Sequence, residues 1–233
     1  MTNVSSVELG QLKTGIVIPA FQAESTLTQV LDPLLRLTSP DRIIVVDDGS
    51  TDGTLQLAES KQVMTVRHPI NKGKGAALMT GLLWARSNGW EWAVTLDADG
   101  QHATDDLKKF LSVAPSPDTG VVVGTRSIVG TKMPLHRRIS NSLSTWIVSK
   151  LAGTAVFDAQ CGYRAYRICI IDVFPQEGRF EWEAQALILC CRNGHGVEQV
   201  PVQTLYSGED SHIRLAHDTW RFLRMAGRLA WTR

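Results

Sequence analysis

The sequence predicts an α/β protein with a mostly parallel central sheet flanked by helices. Continuous apolar runs, typical of strands buried on both faces, alternate with segments of helical periodicity through the first half of the chain. Short polar segments rich in Asp, Gly and Ser follow several of these runs. Because ligands of such folds bind beyond the carboxyl ends of the strands, these segments are candidate site residues.

Six runs predict strands, and the segments between them predict helices. Strands are expected at residues 15–20, 42–46, 62–67, 92–96, 121–126 and 197–206. Helices are expected at residues 27–38, 54–60, 71–88, 139–151, 180–193 and 213–233, with Pro33 kinking or breaking the first. Residues 132–140 predict a basic loop. Residues 158–167 are polar, aromatic and interrupted by glycine, which favours a site over a core.

The composition is that of an ordinary globular protein, and it excludes several classes. With 233 residues and a net charge of +1, the chain can bury a large core but lacks the basic field of a nucleic-acid binder. Its four cysteines have neither zinc-ligand nor disulfide-framework spacing, so we expect reduced, packed thiols in a cytoplasmic protein. Residues 1–11 do not resemble a signal peptide, and no apolar run reaches the roughly 20 residues that span a bilayer.

Two carboxylates end the fourth predicted strand. Asp97 and Asp99 are one residue apart and are followed by Gly100, Gln101 and His102. Carboxylates at this spacing on a turning backbone can converge on one divalent cation, with a diphosphate supplying further oxygens. A solvated turn is the alternative, since Asp and Gly are common turn residues.

A second segment suggests a phosphate contact. Residues 71–75 combine two glycines, two lysines and a predicted helix N-terminus, a combination that suits a bound phosphate. The spacing is not that of a Walker motif. Lys74, between two glycines, is our candidate for the contact, and Lys72 is the one expected to be solvated.

Four sequence blocks resemble the family-2 glycosyltransferases, inverting nucleotide-sugar transferases of the A-type (GT-A) fold. The blocks are IVIPAF at 16–21, VDDGSTD at 46–52, NKGKGAA at 71–77 and LDADGQ at 96–101. Two later blocks, DAQCGYR at 158–164 and EQVPV at 198–202, are similar to the dolichyl- and polyprenyl-phosphate mannosyl- and glucosyltransferase branch. One departure is Gln22-Ala23-Glu24, where the family often has Asn-Glu-Glu, so an acidic donor contact at position 23 is missing.

The resemblance implies one Rossmann-like nucleotide-diphospho-sugar transferase domain. We expect a polar tail at residues 1–13, this domain at 14–210 and an amphipathic helical extension at 211–233. The resemblance implies a reaction that uses Mg²⁺ or Mn²⁺ and moves a hexose from a UDP- or GDP-sugar to a lipid-linked acceptor, which in this branch is a polyprenyl phosphate. A hydroxyl acceptor on a glycan or glycolipid is the alternative.

The resemblance also assigns roles on the donor side. Pro19 and Phe21 would form a wall against the nucleobase, although core packing is equally open for Pro19. Asp48 would accept hydrogen bonds from a uracil or guanine edge, while Ser50 and Asp52 are read as helix caps. Lys74 and Asp97 are the other donor candidates. Asp97, Asp99 and Gln101 are the metal candidates, and it is the resemblance to the polyprenyl-phosphate branch that implies a metal contact for Gln101. His102 is read as a cap or surface residue.

The catalytic candidates are Asp99, Arg126 and Asp158. Arg126 is either a bidentate phosphate partner or structurally paired. A hydroxyl acceptor needs a base, for which Asp158 is the first candidate, followed by Glu181 and Glu183. A lipid phosphate is already an anion and needs none. The acceptor-side candidates are Arg137, Arg138, Gln160 and Arg164, although the first two are equally open as surface charge.

The last predicted helix has an arginine face and an apolar face with tryptophans. Such a helix suits the anionic surface of a membrane, here its cytoplasmic face, or packs on the domain or on a second subunit of a homodimer. Two other classes fit less well. A nucleotidyltransferase usually begins with a glycine-rich loop where this chain has Pro19-Ala20-Phe21, and an inactive sugar-nucleotide-binding module would be expected to lose the Asp-x-Asp motif.

Overall fold

The computed structural model of the chain describes residues 13–113, 117–126, 135–176, 178–205 and 215–231. Within them, seven strands form one sheet in the order β3-β2-β1-β4-β6-β5-β7. The strands are β1 (Thr14–Ala20), β2 (Ile43–Asp47), β3 (Met64–Arg67), β4 (Trp92–Thr95), β5 (Thr119–Arg126), β6 (Arg164–Arg167) and β7 (Gly196–Val202). All neighbouring strands pair in parallel except β6, which is antiparallel to both β4 and β5. The predicted α/β class is confirmed.

Helices cover both faces of this sheet. They are α1 (Leu27–Leu35), α2 (Thr54–Ser60), α3 (Lys74–Ser87), α4 (Leu107–Val113), α5 (Leu135–Ala152), α6 (Trp182–Arg192) and α7 (Leu215–Trp231). The first of them continues past Pro33 to Leu35. The basic loop predicted at residues 132–140 is wrong from Leu135 onward, where α5 has already begun. Residues 132–134 lie outside the described part of the chain.

Successive residues of the central strands pack into two different cores. Val17 joins the core under α3 and α6, while Ile16 and Ile18 join the core under α1 and α4. Both faces of the sheet are therefore buried, as continuous apolar strands require. The C-terminal helix α7 contributes Met225 and Leu229 to the first core, so one of its faces packs on the domain. None of the helices in the described ranges is long and apolar enough to cross a membrane.

The sequence did not predict β6. Residues 158–167 were expected to be unsuited to a core, yet Tyr163, Arg164 and Tyr166 are fully buried. Their aromatic and hydrogen-bonding partners come from distant segments, since the Tyr163 ring stacks on Phe110 at 4.3 Å and the Arg164 guanidinium donates to three backbone carbonyls. A buried polar side chain is tolerated when its hydrogen bonds are satisfied in this way.

The strand directions bring several loops to one edge of the sheet. The carboxyl ends of β1, β2, β4 and β5 lie there because these strands run in the same direction. The start of the reversed strand β6 lies there too, since Arg164 pairs with Thr95 at the end of β4. Candidate residues from five strands therefore meet at this edge. The predicted domain boundary at 210/211 and most of the predicted N-terminal tail lie outside the described residues.

Candidate active site

The loops after β1 and β2 are hydrogen-bonded to one another. Gln22 has a left-handed backbone (φ +52°), its N–H donates to Ser50 Oγ (3.0 Å), and its side-chain oxygen accepts the N–H of Thr51 (2.8 Å). Ser50 is therefore not the predicted helix cap, whereas Asp52 accepts the N–H of Thr54 at the start of α2. Phe21 is exposed beside these loops, and Pro19 is buried within β1. Core packing, the alternative for Pro19, is what the structure has.

Asp48 fixes the turn that leads into α3. Its Oδ1 accepts the N–H of Lys72 (2.9 Å), and its Oδ2 accepts the N–H of Gly73 (2.7 Å). His68 Nδ1 lies 2.6 Å from Oδ1, and His68 Nε2 lies 2.9 Å from Thr80 Oγ1. Both oxygens of this buried carboxylate accept hydrogen bonds from the protein, so Asp48 supports this turn, and its contact with the nucleobase stays a prediction.

The turn held by Asp48 delivers Lys74 to two carboxylates. Lys74 Nζ lies 2.6 Å from Asp97 Oδ1 and 2.9 Å from Glu183 Oε2. Burial by itself lowers the pKa of Lys74, but the charges of Asp97 and Glu183 outweigh it and raise that pKa above its usual value. The lysine is therefore a fixed positive charge at the edge of the sheet. The sequence named Glu183 only as a reserve base and gave no signal of this contact.

Asp97 and Asp99 follow β4 in different electrostatic states. Burial would raise the pKa of Asp97, yet the charge of Lys74 and the contact with His102 hold it well below its usual range. The pKa of Asp99 is raised, by burial and then by the negative charge of Asp97. Asp99 Oδ1 accepts the N–H of Gln101 (2.9 Å), whose side chain is half-buried at the same turn.

His102 is placed differently from the prediction. It is buried rather than on the surface, and its Nε2 lies 3.6 Å from Asp97 Oδ2. That nitrogen is buried and has no hydrogen-bond partner. Its ring lies 5.1 Å from the ring of Tyr163. A side chain read as a cap therefore contacts the two-carboxylate segment directly.

The two carboxylates suit a divalent cation that arrives with a ligand. Among the described residues, no group of three or more His, Cys, Asp or Glu side chains could hold a metal ion. Mg²⁺, however, is usually held by one or two carboxylates together with substrate phosphates. Burial, and then the negative charge of Asp97, raise the pKa of Asp99, so an added cation would favour its ionised form. Asp97, Asp99 and Gln101 fit that incomplete set of oxygen ligands.

Arg126 and Asp158 pair with each other at the end of β5. Arg126 Nε donates to Asp158 Oδ2 (2.6 Å) and Nη2 donates to Oδ1 (3.0 Å), and Asp158 is 1% exposed. Asp158 Oδ1 also accepts the N–H of Gln160 (3.2 Å). The structure corrects two predictions, because Asp158 is not an available base and Arg126 has the structural pairing that was its alternative role.

The other acceptor-side candidates do not share one location. Arg164 is completely buried and donates to the carbonyl oxygens of Ala159, Cys161 and Glu183, so its predicted contact with the acceptor is wrong. The exposed Gln160 donates to Ser144 Oγ on α5 (3.0 Å). Arg138 is exposed in the first turn of α5, and the side chain of Arg137 lies outside the described part of the structure.

Gly162 is a contact that the sequence did not single out. A Cβ atom at this position would lie 2.6 Å from Asp97 Oδ2 and 2.9 Å from Lys74 Nζ. The backbone of the 158–163 loop therefore approaches the Lys74–Asp97 pair closely. The only available signal was the position of this glycine inside the DAQCGYR block.

At this sheet edge the carboxylates after β4 lie opposite a lysine at the N-terminus of α3. The model of glycosyl transferase family 2 matches residues 15–173. The chain belongs to that family and is a glycosyltransferase. The family resemblance proposed from the sequence blocks is confirmed.

Two curated relatives cover most of the chain. It is 35% identical over 216 residues to the UDP-N-acetylglucosamine–dolichyl-phosphate N-acetylglucosaminyltransferase of Methanococcus voltae, covering 82% of this chain and 85% of the relative. It is 28% identical over 203 residues to the polyprenol monophosphomannose synthase of Mycolicibacterium smegmatis, covering 82% and 76%. These relatives confirm the predicted resemblance to the dolichyl- and polyprenyl-phosphate branch.

A solved structure shares the fold. Glucosyl-3-phosphoglycerate synthase from Mycobacterium tuberculosis, in complex with UDP, matches with a TM-score of 0.75 at 19% identity, covering 96% of this chain and 82% of that chain. Crystal structures of the same enzyme also contain Mn²⁺ with UDP and phosphoglyceric acid, or Mg²⁺ with UDP. The match confirms the GT-A fold.

Proposed function

We propose that this glycosyltransferase moves a hexose, with inversion, from a UDP- or GDP-sugar to the phosphate of a polyprenyl lipid, using Mg²⁺ or Mn²⁺. The choice of acceptor rests on the observation that two of the candidate bases are held in ion pairs. Asp158 is bound to Arg126, and Glu183 is bound to Lys74. An acceptor that is already an anion needs no base, so a lipid phosphate fits this site better than a hydroxyl. The names of the relatives support the same acceptor.

The chain's own residues would bind the donor across the sheet edge. Phe21 would stack beside the base, and Lys74 at the N-terminus of α3 would face the diphosphate. Asp97, Asp99 and Gln101 would hold the cation, which when bound neutralises negative charge on the departing nucleoside diphosphate. An oxygen of the acceptor phosphate attacks the anomeric carbon as the bond to the diphosphate breaks, which inverts the configuration.

A hydroxyl acceptor is the second candidate, because Glu181 and Glu183 each keep a buried oxygen without a hydrogen-bond partner, and of the two Glu183 is already bound to Lys74. Glu181 Oε2 is buried without a hydrogen-bond partner, and Glu181 directly precedes α6. In that reaction Glu181 would remove the proton of the hydroxyl. Glu181→Gln should then abolish transfer to a glycan or glycolipid, whereas transfer to a polyprenyl phosphate does not depend on this carboxylate.

Thermal shift with UDP- and GDP-sugars, each with and without Mn²⁺, tests the donor. One nucleotide should raise the unfolding temperature, and Mn²⁺ should enlarge that shift. Transfer from the stabilising donor to a polyprenyl phosphate, compared with the corresponding polyprenol, then tests the acceptor. Transfer to the polyprenol alone would contradict the phosphate acceptor, and no metal-dependent stabilisation by any nucleotide would contradict the whole proposal.

Membrane contact through α5 and α7 is the other part of the proposal. Although α7 packs on the domain, Trp220, Leu223 and Trp231 stay 58%, 50% and 93% exposed. Trp146 of α5 lines the same groove as Leu223. On α5, Ile139, Leu143 and Trp146 are spaced to share one side of the helix, and all three are exposed.

The charges around this apolar face favour anionic lipid over a second copy of the chain. Arg138 and Lys150 of α5 are exposed, as are Arg224 and Arg228 of α7. The sequence of α5 contains no Asp or Glu, and that of α7 contains only Asp218. Aromatic residues with basic neighbours suit the headgroup region of an anionic bilayer. Two such basic faces would repel one another in a homodimer.

Sedimentation with vesicles tests this surface. The protein should pellet with vesicles containing phosphatidylglycerol, less with phosphatidylcholine alone, and less still after Trp146→Ser with Trp231→Ser. Point substitutions are preferable to truncation because Met225 and Leu229 of α7 belong to the core. Equal pelleting of the double variant would contradict the membrane contact, and a concentration-dependent dimer lost in that variant would favour self-association instead.

A further inference from the structure

We infer that Glu183 is a positioning residue of the donor site, which shares the Lys74 ammonium with Asp97 and so leaves part of the negative charge of Asp97 available to the divalent cation. The inference rests on the proposed function, since it concerns the metal and nucleotide of that reaction. It assigns Glu183 a role through Lys74 and not through the transfer of a proton.

The contact between Lys74 and Glu183 is built into the packing of two helix starts. Lys74 is the first residue of α3, and Glu183 lies in the first turn of α6. A Cβ atom at Gly75 would lie 2.4 Å from Trp182 Cβ, so the two helix starts touch beside the ion pair. The Ala76 N–H also donates to the Gly178 carbonyl (3.2 Å). The side chains of Lys74 and Glu183 are 15% and 8% exposed, which keeps solvent from separating them.

Arg164 holds Glu183 from the other side. Its Nη1 donates to the Glu183 carbonyl oxygen (2.6 Å), and its Nε lies 4.0 Å from Glu183 Oε1. The same guanidinium donates to the Ala159 and Cys161 carbonyls of the 158–163 loop. Glu183 therefore lies between the donor-side pair and the acceptor-side loop, and its position is fixed by both.

The sum of local charges explains why this carboxylate matters. Lys74 and Arg164 are positive, while Asp97, Asp99 and Glu183 are negative when ionised, which leaves one excess negative charge to attract a cation. Replacing Glu183 by glutamine removes this excess negative charge. Of the two carboxylates that contact Lys74, only Asp97 then remains. Charges at these distances interact strongly at a buried site. A cation would then compete with Lys74 for Asp97 at a disadvantage.

Direct titration of Mn²⁺ onto the full-length protein, with UDP or GDP present, tests the inference without relying on turnover. Glu183→Gln should weaken Mn²⁺ binding by at least about tenfold, whereas Glu183→Asp, which keeps the charge, should recover part of the affinity. In kinetics, Glu183→Gln should raise the donor KM and the Mn²⁺ requirement more than it lowers kcat. Asp172→Asn, which removes an exposed carboxylate paired with Arg86, is the matched control and should bind Mn²⁺ normally.

Different outcomes separate the inference from the proposed function. Mn²⁺ binding by the natural protein together with unchanged binding by Glu183→Gln overturns the inference alone. Absence of Mn²⁺ binding by the natural protein overturns the metal site and the inference with it. If Glu183→Gln does not fold, Glu183→Asp decides, because its longer Lys74 contact must still weaken Mn²⁺ binding measurably, and unchanged binding overturns the inference.

Discussion

The proposed donor side and the proposed acceptor side each hold an ion pair at the same sheet edge, but the two pairs are built differently. Lys74 is shared between Asp97 and Glu183, and Asp99 adds a further carboxylate with a raised pKa. Arg126 and Asp158 instead satisfy one another through a bidentate contact. The shared cluster keeps negative charge available for a cation, whereas the closed pair is neutral. The first arrangement suits ligand binding, and the second suits support of the loop.

The largest effect is expected from breaking the closed pair. Arg126→Met leaves Asp158, which is 1% exposed, as an unpaired buried charge, and should lower the free energy of unfolding by about 3–5 kcal/mol. Asp158→Asn should cost less, because the Arg126 side chain is 21% exposed and can reach water. Urea denaturation of both variants measures the difference. Equal stability of Arg126→Met and the natural protein would show that the pair is not structural.

Asp99→Asn, in the Lys74 cluster, should lower turnover and not stability, which is the opposite of the effect expected for Arg126→Met. We expect turnover to fall at least about 100-fold, or about 2.7 kcal/mol, through loss of a cation ligand. Stability should be unchanged or slightly increased, because a carboxyl whose pKa is raised in the folded state destabilises the fold when it is ionised. Steady-state kinetics and thermal unfolding check the two parts. Undiminished transfer would rule out the metal role of Asp99.

A smaller effect is expected at Gly162, where the two sides meet. The added methyl of Gly162→Ala would crowd Asp97 and Lys74, and should weaken nucleotide binding about tenfold, or about 1.4 kcal/mol. Calorimetric titration with the preferred nucleotide and Mn²⁺ measures it. Gly227→Ala on α7, where a Cβ atom meets no neighbour within 4 Å, is the control. Equal affinity of both variants would separate the loop from the donor side.

The smallest effect is expected in a thiol-labelling assay, which reports on the 158–163 loop through Cys161. Burial raises the pKa of Cys161 to about 12, and also that of Cys190 to about 12, whereas Cys169 is exposed. At pH 8, Ellman's reagent should therefore label Cys169 quickly and Cys161 very slowly. Arg126→Met should accelerate labelling of Cys161, and Asp99→Asn should not. Fast labelling of Cys161 in the natural protein would contradict its burial.

Local sequence predicted which segments meet at the sheet edge, because each of them follows an apolar run whose end is visible in the sequence. Asp97, Asp99 and the turn before Lys74 lie where a parallel sheet delivers strand ends. The ion pairs between these segments could not be predicted from local sequence. Nothing near Lys74 in the chain indicates Glu183, and nothing near Arg126 indicates Asp158, since these contacts depend on how distant elements pack.

The same limit explains β6 and His102. The segment around Arg164 reads as polar because its carbonyl partners and aromatic neighbours are contributed by other loops and helices. His102 was predicted to be a helix cap because its burial depends on Tyr163, which directly precedes the unpredicted strand β6. Periodicity identifies elements that bury apolar surface, and it does not identify those that bury satisfied polar groups.

The reversed strand β6 also bears on how such proteins diversify. Because it runs against its neighbours, the 158–163 loop enters the sheet at the edge where the other loops leave it. It is anchored at both ends, by Asp158 paired with Arg126 of β5 and by Arg164 opposite Thr95 of β4. The segment just upstream of Asp158 is outside the strand pairing of β6, and it contacts the sheet through the side chain of Gln199 in β7. We therefore expect substitutions in that upstream segment to alter the proposed acceptor side more than the loops that carry Lys74 and Asp97.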